Sequence, residues 1–191
     1  LLESRGLGDV YKRQELIKSF DLKNVQKGAA VFDLKRFNWV SSQHLAKLND
    51  DAFIEAIHPF MEDEGIDDVA PNYKEILIAM RTSKTNLKEI AYATRPFFFE
   101  LEEYDEKGVN KFLKGSLETL TFALETLSKI SEWNETELDM ALINVRDYFN
   151  LPIPKVNQPM RIALVGSTIS PSLGLTLELF GKEKSLERIK K

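Results

Sequence analysis

Apolar residues recur at steps of three and four along most of this chain, which is the period of an amphipathic helix. In the segment 50–61, Phe53, Ile54 and Ile57 fall on one helical face, and Pro59 is expected to end the helix. The pattern therefore predicts a short helix with one buried side, and the rest of the chain repeats it.

The same spacing predicts further helices downstream. Ile76, Leu77 and Met80 share a face of the segment 72–81, and the apolar positions of 106–130 predict helix throughout that segment. An Asn followed three residues later by Glu is the pattern of a capped helix start. It occurs twice, at Asn86 with Glu89 and at Asn134 with Glu137.

The C-terminal quarter of the chain has a different pattern. Three prolines in the nine residues 151–159 predict an extended connector. The apolar run 162–165 that follows is compatible with either a strand or a buried helix. After a polar loop we expect a short helix ending at Gly181 and a last amphipathic helix with Leu186 and Ile189 facing inward.

No strand pattern competes with these helices. Alternation of apolar and polar residues is weak, and the hairpin dipeptides Asn-Gly and Asp-Gly do not occur. The sequence therefore predicts an all-α protein, a multi-helix array of short helices.

Composition limits the class of protein. The chain has 191 residues, of which 43% are hydrophobic and 29% charged, as is typical of soluble globular proteins. Cysteine is absent, so we expect neither disulfides nor a thiolate metal site. No apolar run approaches the roughly 20 residues of a membrane span, and no signal peptide pattern occurs. We therefore expect a cytoplasmic protein without a membrane contact.

Charge is unevenly distributed along the chain. Residues 49–68 contain eight acids and no Lys or Arg, whereas residues 151–191 contain seven bases against three acids. A basic end on a chain of net charge −4 is compatible with a polyanion-binding surface or with an ordinary solvated face.

Both ends of the sequence look cut. The chain opens without Met, and its last two lysines lie within a helical pattern. Residues 1–14 have no core periodicity, and we expect them to be a translated sequencing-adapter scar that precedes a native segment beginning near Glu15.

Catalytic chemistry has little support in the residues. The polar loop after Gly166 fits neither the GxxxxGK[ST] nor the GxGxxG phosphate pattern. The two histidines, His44 and His58, lack metal-ligand spacing, and no GxSxG elbow occurs. A stand-alone enzyme would need a pocket that converges on carboxylates.

Binding chemistry is better supported. Arg81 and Lys84 lie among hydroxyl residues at the junction of two predicted helices, and Arg161 precedes a loop that contains Ser170. Arg side chains beside small hydroxyls suit the exposed edges of unstacked bases. A helical protein-interaction module without RNA specificity is the alternative.

Four segments resemble the C-terminal part of bacterial glutamyl-tRNA synthetase: 32–45 (FDLKRFNWVSSQHL), 80–91 (MRTSKTNLKEIA), 97–105 (FFFELEEYD) and 155–189. The last one is the most specific, with a Pro-x-Arg, a Gly-Ser/Thr loop, a Ser-Pro and a helix that ends in Glu-Arg-Ile. Their order and spacing match the family from about residue 15 to 191.

The resemblance implies an architecture. Residues 15–66 are similar to the end of the family's stem-contact region, and residues 67–191 to its two-part helical anticodon-binding domain, the α-helix cage of class I synthetases. The family's catalytic domain has no counterpart here, so the resemblance implies no catalytic residue, no metal and no cofactor in this chain. ATP and Mg²⁺ would belong to the full-length ligase. The implied partner is the anticodon loop of glutamate tRNA, bound by a monomer.

The resemblance also implies roles for single residues. Arg161 matches an Arg that contacts the anticodon, and Ser170, Pro171 and Leu173 match a contact cluster that is often Thr-Pro-x-Leu. Arg81 matches the Arg that reads the third anticodon base in members that charge only glutamate tRNA, and it hints at a ligase of that discriminating type. Lys84 joins this set as a candidate anticodon-binding residue.

Overall fold

The chain folds as an all-helical protein in the part that the structure describes. The structure is a computed structural model and describes residues 13–24, 28 and 31–191. Residues 1–12 of the expected scar lie outside the described residues. No strand occurs in the described ranges, and the predicted all-α class is confirmed. The helices are α1 (Arg13–Ser19), α2 (Leu34–Lys47), α3 (Asp50–Asp63), α4 (Tyr73–Met80), α5 (Leu87–Phe98), α6 (Glu106–Gly108), α7 (Leu117–Ser128), α8 (Glu135–Phe149), α9 (Ile153–Val165), α10 (Leu173–Phe180) and α11 (Lys182–Lys190).

The helices pack in two groups. Helices α3, α4 and α5 pack on one another, and α7 to α11 pack together with a π-helical turn at Val109–Leu113. Helix α5 meets α9 where the groups join. The face predicted from 72–81 is buried, since Ile76, Leu77 and Met80 are at most 2% exposed. Contiguous burial of this kind is the main force that holds short helices in place.

The two predicted helix caps are present. The side chain of Asn86 accepts a hydrogen bond from the Glu89 amide at 2.9 Å, and that of Asn134 accepts one from the Glu137 amide at 3.0 Å. Each bond satisfies an amide that has no partner within its own helix. Helices α5 and α8 therefore begin where the sequence predicts.

Two predictions that rested on proline were wrong. Helix α3 continues past Pro59 to Asp63, and most of the predicted connector 151–159 is the first half of helix α9. Pro152 is the N-cap of α9 and Pro154 lies in its first turn, where no amide donor is needed. Pro159 costs α9 one internal hydrogen bond, but the same stretch buries Val156 and Met160 completely or nearly so. The apolar run that follows is helical.

The segment 106–130 is helical only in pieces. It contains α6, the π-helical turn, a break and then α7. Gly115 has a φ of +83°, which favours glycine and ends the first piece. The apolar periodicity continues across the break, so the pattern alone did not reveal it.

Helix α11 joins the ends of three other helices. Lys182 donates to the Ile130 carbonyl just after α7 at 2.5 Å, and Lys184 donates to the Phe97 carbonyl in the last turn of α5 at 2.8 Å. Arg188 is 4% exposed and donates to the Leu164 carbonyl of α9 at 2.5 Å. Carbonyls at helix C-termini lack internal partners and carry partial negative charge, so they suit cations.

Most basic side chains of residues 151–191, which we call the basic tail, therefore stabilise the fold. Five of its seven basic side chains, Arg161, Lys182, Lys184, Arg188 and Lys191, donate hydrogen bonds to acceptors in the protein. Lys182, Lys184 and Arg188 bond to backbone carbonyls and are therefore not simply a solvated face, whereas Lys191 pairs with Glu100 at the surface. Lys155 and Lys190 have no such bond within the described part of the chain.

Across the described residues, no helix combines the length and the hydrophobicity that crossing a membrane would require.

Candidate nucleic-acid interface

The loop between α9 and α10 is held rigidly against the extended segment 99–105. Gly166 ends α9 with a φ of +69°, and its amide donates to the Ile162 carbonyl at 2.9 Å. The Gly166 carbonyl accepts from the Asp105 amide at 2.8 Å. A Cβ at Gly166 would lie 2.6 Å from the Glu103 carbonyl oxygen, so only glycine allows this approach.

Arg161 and Ser170, which the sequence singled out separately, are bonded to each other. The Arg161 Nε donates to the Ser170 Oγ at 3.1 Å, and its Nη2 donates to the Pro171 carbonyl at 3.1 Å. Burial lowers the pKa of the Arg161 guanidinium. Arg161 therefore holds the loop in shape through two fixed donors.

Thr176 is a member of this cluster that sequence reasoning missed. It is fully buried in α10, and its Oγ1 lies 3.1 Å from the Ser170 Oγ and 2.8 Å from the Ser172 carbonyl. The sequence feature that could have revealed Thr176 is its hydroxyl, six residues after Ser170 and in the first turn of the predicted short helix. A buried hydroxyl needs a partner, and this one finds it in the loop.

Leu173 lies beneath the loop rather than on its surface. Its side chain is 2% exposed and belongs to the core at the start of α10. Its side chain therefore packs in the core and is not exposed for contact with a ligand.

Arg81 lies in a different environment. Its Nη2 donates to Asp50 at 2.5 Å and its Nη1 to the Leu48 carbonyl at 3.3 Å. The guanidinium carbon lies 4.7 Å from the centroid of the Phe53 ring, and the side chain is 16% exposed. Its Nε is buried without a hydrogen-bond partner. Arg81 thus bonds the α4–α5 turn to the start of α3.

A groove of about 560 Å³ brings Lys84 and Ser170 together. We call it the α5–loop groove; its walls are helix α5, the segment 99–105 and the loop residues 165–170. Lys84 makes no hydrogen bond or ion pair with the described residues. Neither Arg161 nor Arg81 is among the lining residues. Arg161 is linked to the groove through its hydrogen bond to Ser170, whereas Arg81 bonds to Asp50 and Leu48.

The described ranges contain no cluster of metal-ligating side chains, since no three His, Cys, Asp or Glu side chains are arranged there to hold a metal ion. His58 lies on the surface, 3.7 Å from Glu62 and 3.9 Å from Asp68. The α5–loop groove contains carboxylates but pairs none with a nucleophile or a general base.

Comparison with known proteins assigns the class. The sequence model of the anticodon binding domain matches residues 52–191, and the chain belongs to that family. The match includes the loop after α9 and every side chain of the cluster around Arg161. The partner class that this membership implies is tRNA.

Curated relatives that the chain matches include glutamate–tRNA ligases. It is 31% identical over 188 residues to the enzyme of Legionella pneumophila strain Philadelphia 1 and 35% identical over 192 residues to that of Xanthomonas campestris pv. campestris. Each match covers 97% of this chain and 40% of the relative, so the chain spans about two fifths of these proteins. The resemblance to the C-terminal part of this ligase is confirmed.

Solved structures show the same fold. A crystal structure of a glutamate tRNA ligase from Elizabethkingia meningosepticum, in complex with its amino acid, superposes with a TM-score of 0.74 at 24% identity. The superposition covers 93% of this chain and 35% of that one. The arrangement of helices is therefore that of the corresponding part of a ligase.

Proposed function

We propose that this chain binds the anticodon loop of glutamate tRNA as part of a glutamate–tRNA ligase. The observation that carries the proposal is the fixed cluster of Arg161, Ser170 and Pro171 beside the α5–loop groove, within the matched domain. Unstacked bases expose hydrogen-bonding edges, and a preformed loop can bind them without an ordering cost.

The domain boundaries are part of the proposal. Residues 67–191 would form the two-part anticodon-binding domain, with α4 and α5 in one part and α6 to α11 in the other. Residues 15–66 would be the end of the stem-contact region. Helix α3 packs on α4 and α5, so it would transmit the position of the stem-contact region directly to the first part.

Arg81 would read the third anticodon base in a ligase that discriminates against glutamine tRNA. Its side chain would have to exchange the Asp50 carboxylate for a base edge. A bidentate Arg–base pair contributes about 1–3 kcal/mol of discrimination, which is enough to compete with an ion pair whose carboxylate is 59% exposed.

Aminoacylation itself would belong to the longer protein, which uses ATP and Mg²⁺. The chain alone should be inactive, monomeric and cytoplasmic. Purified protein should give no glutamate- and tRNA-dependent pyrophosphate exchange above background, because no nucleotide-binding motif occurs in its sequence. Exchange above background would overturn this part of the proposal.

The test of anticodon recognition compares two synthetic anticodon stem-loops, one with the glutamate and one with the glutamine anticodon, at fixed salt. Wild type should prefer the glutamate loop, and Arg81→Gln should reduce that preference more than it reduces affinity. Arg161→Ala is the control, expected to weaken both loops because the two anticodons share their first two positions. If Arg81→Gln lowers the affinity for both stem-loops equally, Arg81 has no role in specificity.

A protein-binding module is the second candidate, and helix α2 favours it. Leu34, Phe37 and Trp39 are 61%, 53% and 48% exposed, although large apolar side chains are usually covered. The protein-binding function is favoured if the wild-type protein binds neither stem-loop.

A further inference from the structure

Helix α5 presents two aromatic rings bridged by an arginine. The Arg95 guanidinium lies 5.7 Å from the ring centroid of Tyr92 and 5.4 Å from that of Phe99, within cation–π distance of both. Glu64 holds Arg95 through a 2.9 Å hydrogen bond that raises the pKa of the guanidinium. We call Tyr92, Arg95 and Phe99 the α5 platform.

The α5 platform is accessible. Tyr92 is 57% exposed and Phe99 is 38% exposed. All three side chains line the α5–loop groove, together with Lys84 and Ser170. The ion-paired arginine lies within reach of both rings and restrains them, so a planar ligand that stacks on an exposed ring needs little further ordering of the side chains.

The segment 100–104, which also lines the groove, has no regular secondary structure. Its amides donate no hydrogen bond within the described part of the chain. Gly166 and Asp105 fix this segment against the loop. Free backbone donors and acceptors in a rigid wall are suited to the edge of a base.

Size and charge favour a base over a phosphate. The volume of about 560 Å³ falls within the roughly 300–1,000 Å³ of small-ligand sites. The lining carboxylates would repel a phosphate, whereas they can accept hydrogen bonds from the amino group of a base. Lys84 is a cation at the rim that can pair with the backbone of the same nucleotide. The carboxylates are those of Glu100, Glu102, Glu103 and Asp105.

We infer that one unstacked base of the anticodon loop stacks on the α5 platform and presents its edge to the segment 100–104. This inference rests on the proposed function and assigns the platform a role in it. Stacking on an aromatic side chain tolerates any base, because every base has a π face. The platform would therefore supply affinity, while base identity would be read elsewhere in the site.

The first experiment measures binding of the glutamate anticodon stem-loop to the 191-residue chain and its variants. Tyr92→Ala should weaken binding by at least about five-fold, the lower end of the effect of removing one stacking ring. Tyr92→Phe should restore it, because the ring and not the hydroxyl makes the contact. Tyr148→Ala is the matched control, since Tyr148 is 68% exposed on α8 and does not line the groove.

The second experiment locates the base. Stem-loops carrying 2-aminopurine at successive loop positions report stacking as fluorescence quenching. Wild type should quench one position on binding, and Tyr92→Ala at saturating protein should relieve the quenching at that position only.

The outcomes separate the two proposals. If wild type does not bind the stem-loop, the proposed function fails, and this inference with it. If wild type binds but Tyr92→Ala leaves affinity and quenching unchanged, or if Tyr148→Ala weakens binding equally, the platform role is overturned while anticodon binding stands. Circular dichroism checks that Tyr92→Ala keeps its helices, as Ala in an exposed helical position should.

Discussion

Single residues decide how closely the loop after α9 approaches the segment 99–105. Gly166 combines a positive φ with a site that has no room for a Cβ. Gly65 shares nearly the same φ, +71°, but a Cβ there would meet nothing within 4 Å. The two glycines therefore separate the backbone cost of a substitution from the packing cost.

Gly166→Ala should destabilise the protein more than Gly65→Ala. The backbone penalty of a left-handed alanine is about 1–2 kcal/mol at either site. At Gly166 the collision with the Glu103 carbonyl adds to it, for a total of about 2–4 kcal/mol. The free energy of unfolding in urea measures both variants. Equal losses would mean that the loop moves away from Glu103 at no cost.

Asp50 is the ion-pair partner of the Arg81 guanidinium. If Arg81 reads a base, Asp50→Ala should raise affinity for the glutamate stem-loop by a few-fold, on the order of the strength of an exposed ion pair. Asp51→Ala removes the same charge from the same helical turn without freeing Arg81. Titration with the stem-loop should show a larger gain in affinity for Asp50→Ala than for Asp51→Ala. An equal gain would mean that the effect is long-range electrostatics and not release of Arg81.

At the scale of elements, helix α11 holds the two packing groups together. Arg188 donates to the Leu164 carbonyl of α9 and, at 2.6 Å, to the Phe99 carbonyl just after α5. Its guanidinium also lies 4.7 Å from the ring centroid of Phe180. Burial lowers its pKa. Two carbonyls and a ring offset part of the lost hydration, while its Nε is buried without a hydrogen-bond partner.

Arg188→Met should be strongly destabilising. It leaves two carbonyls without this donor, and an unsatisfied buried acceptor costs about 1–3 kcal/mol. We expect a loss of about 2–4 kcal/mol in urea unfolding. Lys190→Met is the control, because Lys190 is exposed and unbonded among the described residues. A loss no larger than that of the control would show that water replaces Arg188 at both carbonyls.

At the scale of the whole molecule, few cations of the C-terminal quarter are free to meet RNA. Of its seven bases, Lys155 and Lys190 lack a protein acceptor in the described ranges. The acidic stretch 49–68 is only partly neutralised, by ion pairs from Arg81 and Arg95. The α5–loop groove itself is lined by two cations, Lys84 and Arg95, and by four carboxylates, so it adds little positive surface for phosphates.

Binding of the glutamate stem-loop should consequently depend on salt only moderately. Contacts from Lys84, Lys155 and Lys190 would give a slope of log affinity against log salt of about −2, whereas all seven tail bases would give about −5. A titration series at several salt concentrations measures the slope. A value near −5 would mean that the α11 cations leave their carbonyls for phosphates, and a flat line would exclude an electrostatic contribution.

The sequence by itself determined the helical class, the starts of α5 and α8 and the buried face of α4, and it singled out Arg161 and Ser170 of the loop cluster but not Thr176. These features are local: a cap bond spans three residues, and an apolar face depends only on spacing. The resemblance to a synthetase could be found for a related reason, because its motifs are short, ordered segments. The roles of Arg81, Leu173 and the other contact residues stay predictions.

Tertiary structure alone decided the rest, because it depended on partners distant in sequence. Pro159 is tolerated within α9 because the same turn buries Val156 and Met160. This burial offsets the lost backbone hydrogen bond, and local sequence rules do not take it into account. The cations of α11 looked like a solvated or RNA-binding face until the ends of α5, α7 and α9 were brought beside them. Charge pattern gives the number of cations, but only the fold determines which carbonyls they meet and which remain for a ligand.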